Sequence, residues 1–252
     1  MIKKIPFILI FVFYANSAFC QDDKFEDEFA AYEESFSKED TTKIYDPLEK
    51  VNRKIFYIND ILDINIFEPI AKGYRAHIPK FFRTHLRNFL LNLSSPISAV
   101  NSFAQGKLDN GLATMSHFII NSTVGIGGFF NVAEKKKIKY NKEDFGQTLA
   151  HYGVKSGPFL VLPILGPSTL RDTSGLVIDT SVNFMGFNML EIGGNRDALV
   201  TDETKIGYAI IDSIDIRESL IDVIDDTRRD SFDLYAAMRS LYIQNRNSKI
   251  EK

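Results

Sequence analysis

The side chains best suited to chemistry in this sequence are four histidines, two serine-bearing turns and one glycine-rich stretch. His151, in LAHYG, has the strongest claim to act as a general base, whereas His77, His85 and His117 are scattered. Acyl transfer by a serine needs the nucleophile on a tight turn, with a histidine and a carboxylate brought beside it. GPSTL and DTSGL supply serines without the Gly-x-Ser-x-Gly elbow. His151 lies near a helix end, where a hydrogen-bonded structural role is the simpler expectation. The stretch NSTVGIGGFF carries Gly125, Gly127 and Gly128, and glycine turns cradle phosphates in nucleotide sites. Here Phe130 stands where the third glycine of the dinucleotide fingerprint belongs, and no strand signal precedes it. The Gly-Lys-Ser/Thr of a phosphate loop is missing too. With one cysteine and no His-Glu-x-x-His pair, the sequence offers no zinc cage. Asp212, Asp215, Asp222, Asp225 and Asp226 recur at a spacing that predicts a solvated helix face. The motifs point to a protein that is not an enzyme and holds no cofactor or metal.

Composition narrows the partners. A chain of 252 residues at 44% hydrophobic buries a sizeable core and fits one domain with appendages. Its net charge of −3 gives no bulk attraction to nucleic acid, so no nucleic-acid partner is expected. Phenylalanine is abundant, at 21 residues, and its rings suit either a core or contact with acyl chains. MIKK followed by IPFILIFVFY and a polar break predicts a secretory signal over residues 1–20, too short for a stable membrane span. Cys20 is placed as a possible lipid anchor, although Phe19 precedes it where lipoprotein signals favour a small side chain. Ala18-Phe19-Cys20 reads equally as a small-x-small cleavage site. Residues 21–43 are acidic and poor in aliphatics, and read as a flexible tether.

The elements that would position the remaining residues read as helices. YDPLEK predicts a start with Asp46 as cap and Pro47 in the first turn, ending at Glu68-Pro69. Pro79 opens a second helix with an apolar stripe (Phe82, Leu86, Phe89, Leu93) and a basic one (Lys80, Arg83, Arg87). That pattern suits a helix at a phospholipid surface, or a core helix with a solvated cationic face. A short helix is expected after Pro96, ending at Gly106, and another carries Leu108, Leu112, Met115 and Ile119 up to Asn121. Asn141 is expected to cap a helix bearing Phe145, Leu149 and Tyr152 and closed by Gly153. KSGPFLVLPILGPSTLRD breaks the helical pattern yet is apolar, so it must be buried or line a cavity. Thr201 caps a further helix, and a last one follows Asp230. No alternating strand pattern emerges, and the expected class is all-α.

Four segments, in this order, carry a resemblance: DPLEKVNRKIF, NSTVGIGGFFNVA, DFGQTLAHYGVKSGPFLVLPILGPSTLRD and DSFDLYAAMRSLYIQNR. Together they closely resemble the MlaA (VacJ) family of outer-membrane lipid-asymmetry proteins over residues 46–246. The resemblance implies a ring-like arrangement of amphipathic helices in the inner part of the outer membrane, with irregular Gly/Pro-rich segments lining a channel. It implies removal of mislocalised phospholipid from the outer leaflet and transfer to a periplasmic lipid carrier linked to an inner-membrane ABC transporter, in association with a trimeric porin. The domain so implied spans 44–246, followed by a disordered tail at 247–252. By motif match, the lipid path or a hinge falls at Asn121, Gly125, Gly127, Gly128 and Phe129, and at Phe145, Tyr152, Gly157, Pro158, Arg171 and Asp172. Arg171 and Asp172 either meet a headgroup or pair with each other to hold the loop. Lys80, Arg83 and Arg87 are placed at the membrane surface. A soluble lipid carrier and a lipid hydrolase are the competing expectations.

Overall fold

The computed structural model describes residues 44–191 and 202–251; the expected signal, Cys20, the acidic tether and the Thr201 cap lie outside the described residues. Helix α1 (Glu49–Leu62) runs through a π-helical turn (Asp63–Phe67) into α2 (Glu68–His77). The expected stop at Glu68-Pro69 does not occur. Pro69 falls just past the π turn, whose wider winding accommodates the missing N–H without ending the helix. Asp46 does not cap α1 either, because Leu48 holds the cap position without a side-chain bond. Asp46 instead accepts from Asn52 Nδ2 (2.8 Å), Arg239 Nη1 (2.7 Å) and the Tyr235 hydroxyl.

Helix α3 (Lys80–Ala104) is one 25-residue element with Pro96 inside it, where two helices were expected. An interior proline forfeits one hydrogen bond, and the long contact with α4 (Leu108–Thr123) holds the helix through it. Gly106, at φ +73°, makes the turn between them. The two helices meet through small and polar groups. A Cβ on Gly111 would stand 2.4 Å from the Phe103 ring, and Asn110 Nδ2 donates to Ser102 Oγ at 2.9 Å. The short α5 (Val132–Lys135) and α6 (Phe145–His151) follow, capped by Asn131 and Asp144. Asp144 thus takes the position expected of Asn141, because its carboxylate reaches the Gln147 N–H at 2.9 Å.

The all-helical expectation fails at one place. Strands β1 (Phe159–Leu162) and β2 (Gly166–Thr169) pair antiparallel, with Phe159 opposite Thr169 and Leu162 opposite Gly166. The prolines and glycines that end helices here permit a two-stranded ribbon. Ile164 (φ +67°) and Gly166 (φ +80°) turn the chain. Two asparagines of α1, seven residues apart, complete the outer edge of β1. Asn52 donates to Phe159 O and accepts the Val161 N–H, both at 3.0 Å. Asn59 donates to Leu162 O (2.8 Å) and accepts the Ile164 N–H (2.7 Å). The helix substitutes for a third strand. Helices α7 (Leu170–Glu191), α8 (Asp202–Ser219), α9 (Ile221–Asp230) and α10 (Leu234–Ile250) complete the chain. The last helix follows Asp230 as expected, with Asp233 as its cap, and it reaches Ile250, inside the stretch expected as a tail.

The packing is turned inside out. Among the described residues, 22 polar or charged side chains are buried against 12 apolar ones. The apolar stripes stand at the expected spacing but face outward: on α4, Leu108, Leu112 and Ile119 are 62%, 60% and 54% exposed. The face α4 buries holds Gly111, Thr114, His117 and Asn121. On α1 and the π turn, Val51, Ile58, Ile61, Ile64 and Ile66 are exposed, while the residue α1 buries is Asn52. Asp212 and Asp215, expected on a solvated face, are buried with Glu218. Apolar contact outside and hydrogen bonds inside is how helices pack in a lipid solvent, where hydrophobic burial gives no drive. No helix of the described residues is long and apolar enough to cross a membrane. A small apolar core remains under the hairpin, where Phe159 and Val161 meet Tyr235 and Tyr242.

Candidate functional site

A cleft of about 1040 Å³, counted out to open solvent, lies between α1, the π turn, the hairpin and helices α8 to α10. Phe56, Phe67, Leu165, Ile216, Ile224 and Met238 give it apolar walls; Asp60, Asp63, Arg217 and Arg228 line it with charge. Asn59 fixes the hairpin loop against α1, which sets the position of Ile164 and Leu165 in the wall. The charges are ordered among themselves. Arg217 grips Asp63 with Nε at 2.6 Å and Nη2 at 2.8 Å. Arg228 reaches Asp60 (2.8 Å), Glu68 (3.1 Å) and Asp63 (3.2 Å). Burial works against the charge on Arg228, but hydrogen bonds to Asp60 and Asp63 outweigh it and raise its pKa. Arg217 Nη1 and Arg228 Nε are buried without a hydrogen-bond partner among the described residues. The arrangement suits an amphiphile: apolar walls for a hydrocarbon chain beside guanidinium forks of the kind that bind phosphate.

None of the residues marked from sequence lines this cleft; the third of the four segments reaches it through unmarked residues, Ile164 to Pro167. The glycine stretch lies elsewhere, folded down on α3. Asn121 holds it: Oδ1 accepts the Ala133 N–H at 3.0 Å, and Nδ2 donates to Asn131 Oδ1 at 3.1 Å. Gly127 and Gly128 take φ of +69° and +101°, and a Cβ on Gly128 would stand 2.5 Å from Asn92 Cβ. A Cβ on Gly125 would meet the Phe130 carbonyl at 2.2 Å. Phe129 stacks on Phe89 at 4.9 Å. These glycines therefore allow close approach and left-handed backbone.

The remaining marked residues belong to joints between helices. Phe145 donates its N–H to Asp179 Oδ2 at 2.8 Å, and the exposed Tyr152 donates its hydroxyl to Ala104 O at 2.6 Å. Gly157 (φ +70°) passes close to Leu170, and Pro158 O accepts the Leu170 N–H at 3.1 Å. Arg171 Nε bonds Asp172 Oδ1 at 3.0 Å, and both are buried. Asp172 also accepts from Thr169, Tyr242 and Arg246. Arg246 grips Asp144 with Nη1 at 2.6 Å and Nη2 at 2.7 Å. Burial alone would raise the Asp144 carboxyl; Arg246 and the Gln147 N–H outweigh it and hold the pKa at about 2. Arg87 Nε meets Asp215 at 2.8 Å and its Nη2 meets Glu218 at 3.1 Å; Arg83 also pairs with Glu218. Lys80 is exposed at the start of α3. His151 is exposed with its ring 5.3 Å from that of Tyr152.

Sequence reasoning passed over Asn52, Asn59, Asp60, Asp63, Arg217 and Arg228. The first four share one legible signal, polar residues placed within an otherwise apolar helical run. An amide or carboxylate there needs a partner, and the greasy non-helical segment was the one element in want of donors and acceptors.

The model of the MlaA lipoprotein family matches residues 44–249. The intermembrane phospholipid transport system lipoprotein MlaA of Escherichia coli K12 is 34% identical over 203 residues, covering 79% of this chain and 76% of that protein. The protein of the same description from Haemophilus influenzae is 31% identical over 208 residues, covering 81% and 79%. A solved structure from work on how bacterial outer-membrane lipid asymmetry is maintained superposes with a TM-score of 0.69 at 32% identity, covering 81% of this chain and 98% of that one.

Proposed function

The chain belongs to the MlaA lipoprotein family, and on that premise we propose that it withdraws stray phospholipid from the outer leaflet of the outer membrane. Its work is intermembrane phospholipid transport in the service of outer-membrane lipid asymmetry, and it is a transport protein rather than an enzyme. It sits on the periplasmic side of that membrane, its helices in a ring-like arrangement around a channel. It hands lipid to a periplasmic carrier that feeds an inner-membrane ABC transporter, and it associates with a trimeric porin. Phe145 to Asp172 borders the lipid path, the glycine stretch packs beside it as part of the frame, and Lys80, Arg83 and Arg87 stand at the membrane surface.

One observation carries this reading: helices with apolar faces outward and polar faces inward surround a cleft with apolar walls and paired charges. Two acyl chains of ~30 methylenes would cost ~20 kcal/mol if bared to water, at ~0.8 kcal/mol each. A headgroup meets an opposing cost in hydrocarbon. A path must therefore offer both surfaces at once, and the cleft does. The outward apolar faces also favour the embedded protein over a soluble carrier, because exposed patches of this kind are rare on proteins that stay in water. Met238→Trp, which fills the cleft, should leave the protein folded and membrane-bound while phospholipid builds up on the cell surface, read by its accessibility to added phospholipase. Normal surface phospholipid in that variant would remove the cleft from the path. His151→Ala should keep asymmetry intact.

A further inference from the structure

Every described arginine is paired with a carboxylate, from Arg53 through to Arg246. The lysines divide differently. Lys135, Lys136, Lys137 and Lys139 crowd one corner after the glycine turn, all exposed, and none forms an ion pair among the described residues. The carboxylate nearest in sequence, Glu134, is occupied by Asn131 Nδ2 at 2.5 Å. Four like charges within five residues repel one another, and with Glu134 beside them the stretch 134–139 still carries a net charge of +3 in a chain of net charge −3.

The corner adjoins an apolar surface. Val132 donates its N–H to Phe130 O at 2.9 Å, and Asn121 accepts the Ala133 N–H, so α5 and the glycine turn share one frame. The turn presents Ile126, 66% exposed, with Phe129 and Phe130 partly exposed beside it. Phe130 meets the His85 ring at 4.8 Å, and His85 meets the exposed Phe81 at 4.1 Å. Apolar side chains bordered by unpaired lysines are the mark of a surface seated at the boundary of hydrocarbon and headgroups, where lysine stems lie along the apolar part and ammonium groups reach out. Lysine here, rather than the arginine used throughout the interior, gives a mobile, strongly hydrated cation suited to many lipids in turn.

We propose that Lys135, Lys136, Lys137 and Lys139 form a docking site for anionic phospholipid headgroups, which anchors the glycine-turn end of the protein at the membrane–water boundary. This rests on the membrane-embedded reading above. It adds a lipid class and a place of contact that lie outside the cleft. Near an anionic surface each lysine adds about 1 kcal/mol, or ~fivefold in partitioning, within a Debye length of ~8 Å at physiological salt.

The test uses the full mature chain, purified in detergent and floated with vesicles of phosphatidylcholine alone or of phosphatidylcholine with phosphatidylglycerol. The wild-type protein should bind both, with a gain of ~tenfold or more from phosphatidylglycerol that fades as salt rises. Lys135→Gln with Lys136→Gln, Lys137→Gln and Lys139→Gln should lose that gain and keep the phosphatidylcholine binding. The four matching arginine substitutions should keep both. An undiminished gain in the glutamine variant overturns the proposal. So does equal loss on both vesicles, or unchanged vesicle binding with loss of a protein partner. Failure of the wild-type chain to bind phosphatidylcholine vesicles would instead sink the embedded reading.

Discussion

The glycine stretch at 121–130 and the hairpin segment at 157–169 both combine glycines with large apolar residues, the second adding three prolines. Their surroundings make them opposites. The first is clamped to α3 by Asn92, whose Nδ2 donates to Ser122 Oγ at 2.8 Å, and to α5 by Asn121, and it turns its apolar side chains outward. The second is held by Asn52 and Asn59, buries Phe159 and Val161, and lends its loop to the cleft wall. Which way an irregular apolar segment faces is decided by the amides that satisfy its backbone, not by its own sequence.

That contrast breaks most sharply at Asn52. Asn52→Leu leaves Phe159 O and the Val161 N–H buried without partners, and each orphan costs about 1–3 kcal/mol. The expected loss is ~3 kcal/mol, seen as a lower unfolding midpoint together with lost lipid transport. Gly128→Ala is the counterpart in the other segment. Left-handed strain of about 1–2 kcal/mol joins the crowding against Asn92, so a similar or slightly smaller loss of stability is expected, by the same measurement. Transport should then fall only in step with the amount of folded protein. A transport defect beyond that would mean the glycine turn moves lipid itself.

A third outcome concerns the acid end of the stability curve. Asp144 is held at about 2, below its ordinary value of 3.8. Its contribution is present above pH ~4 and is lost as pH falls through that value toward 2. The pair with Arg246 should therefore contribute on the order of 2 kcal/mol at neutral pH, absent in Asp144→Asn when wild type and variant are compared at low pH by denaturant titration. The smallest effect is expected from Gly127→Ala. Its φ of +69° is unfavourable, but the space around it is open, so a change of ~1 kcal/mol is expected, and thermal unfolding is sensitive enough to read it.

Helix positions were largely legible, because caps, prolines and apolar spacing are local signals. The break points were less so. Pro69 and Pro96 read as boundaries, yet a π turn absorbed one and packing against α4 carried the other. The hairpin escaped notice because its partners are the side chains of Asn52 and Asn59, more than a hundred residues away. Spacing identified the apolar stripe of α4 correctly, but periodicity says which residues share a face and not what medium that face meets. The identity of the opposite face was the missing clue: Thr114, His117 and Asn121 are poor company for a solvated surface to leave buried, and good company for a polar interior. The cleft charges were illegible as a set because Asp60 and Asp63 meet Arg217 and Arg228 only across the fold.

The π turn has a consequence of phase. Each α-helical residue rotates the next side chain by about 100°, so one residue accommodated in a wider turn resets the heading of everything after it. With Asp63–Phe67 wound as it is, Arg75 of α2 arrives at Glu218 with Nε at 2.8 Å, joining Arg83 and Arg87 around the same carboxylate. Rewinding the turn as ordinary helix with every residue kept would swing Arg75 roughly a quarter-turn away, and deleting Asn65 as well would return it to Glu218. The two halves of the α1–α2 rod are thus keyed to different partners, the hairpin at one end and α8 at the other, and a single residue sets the angle between the keys.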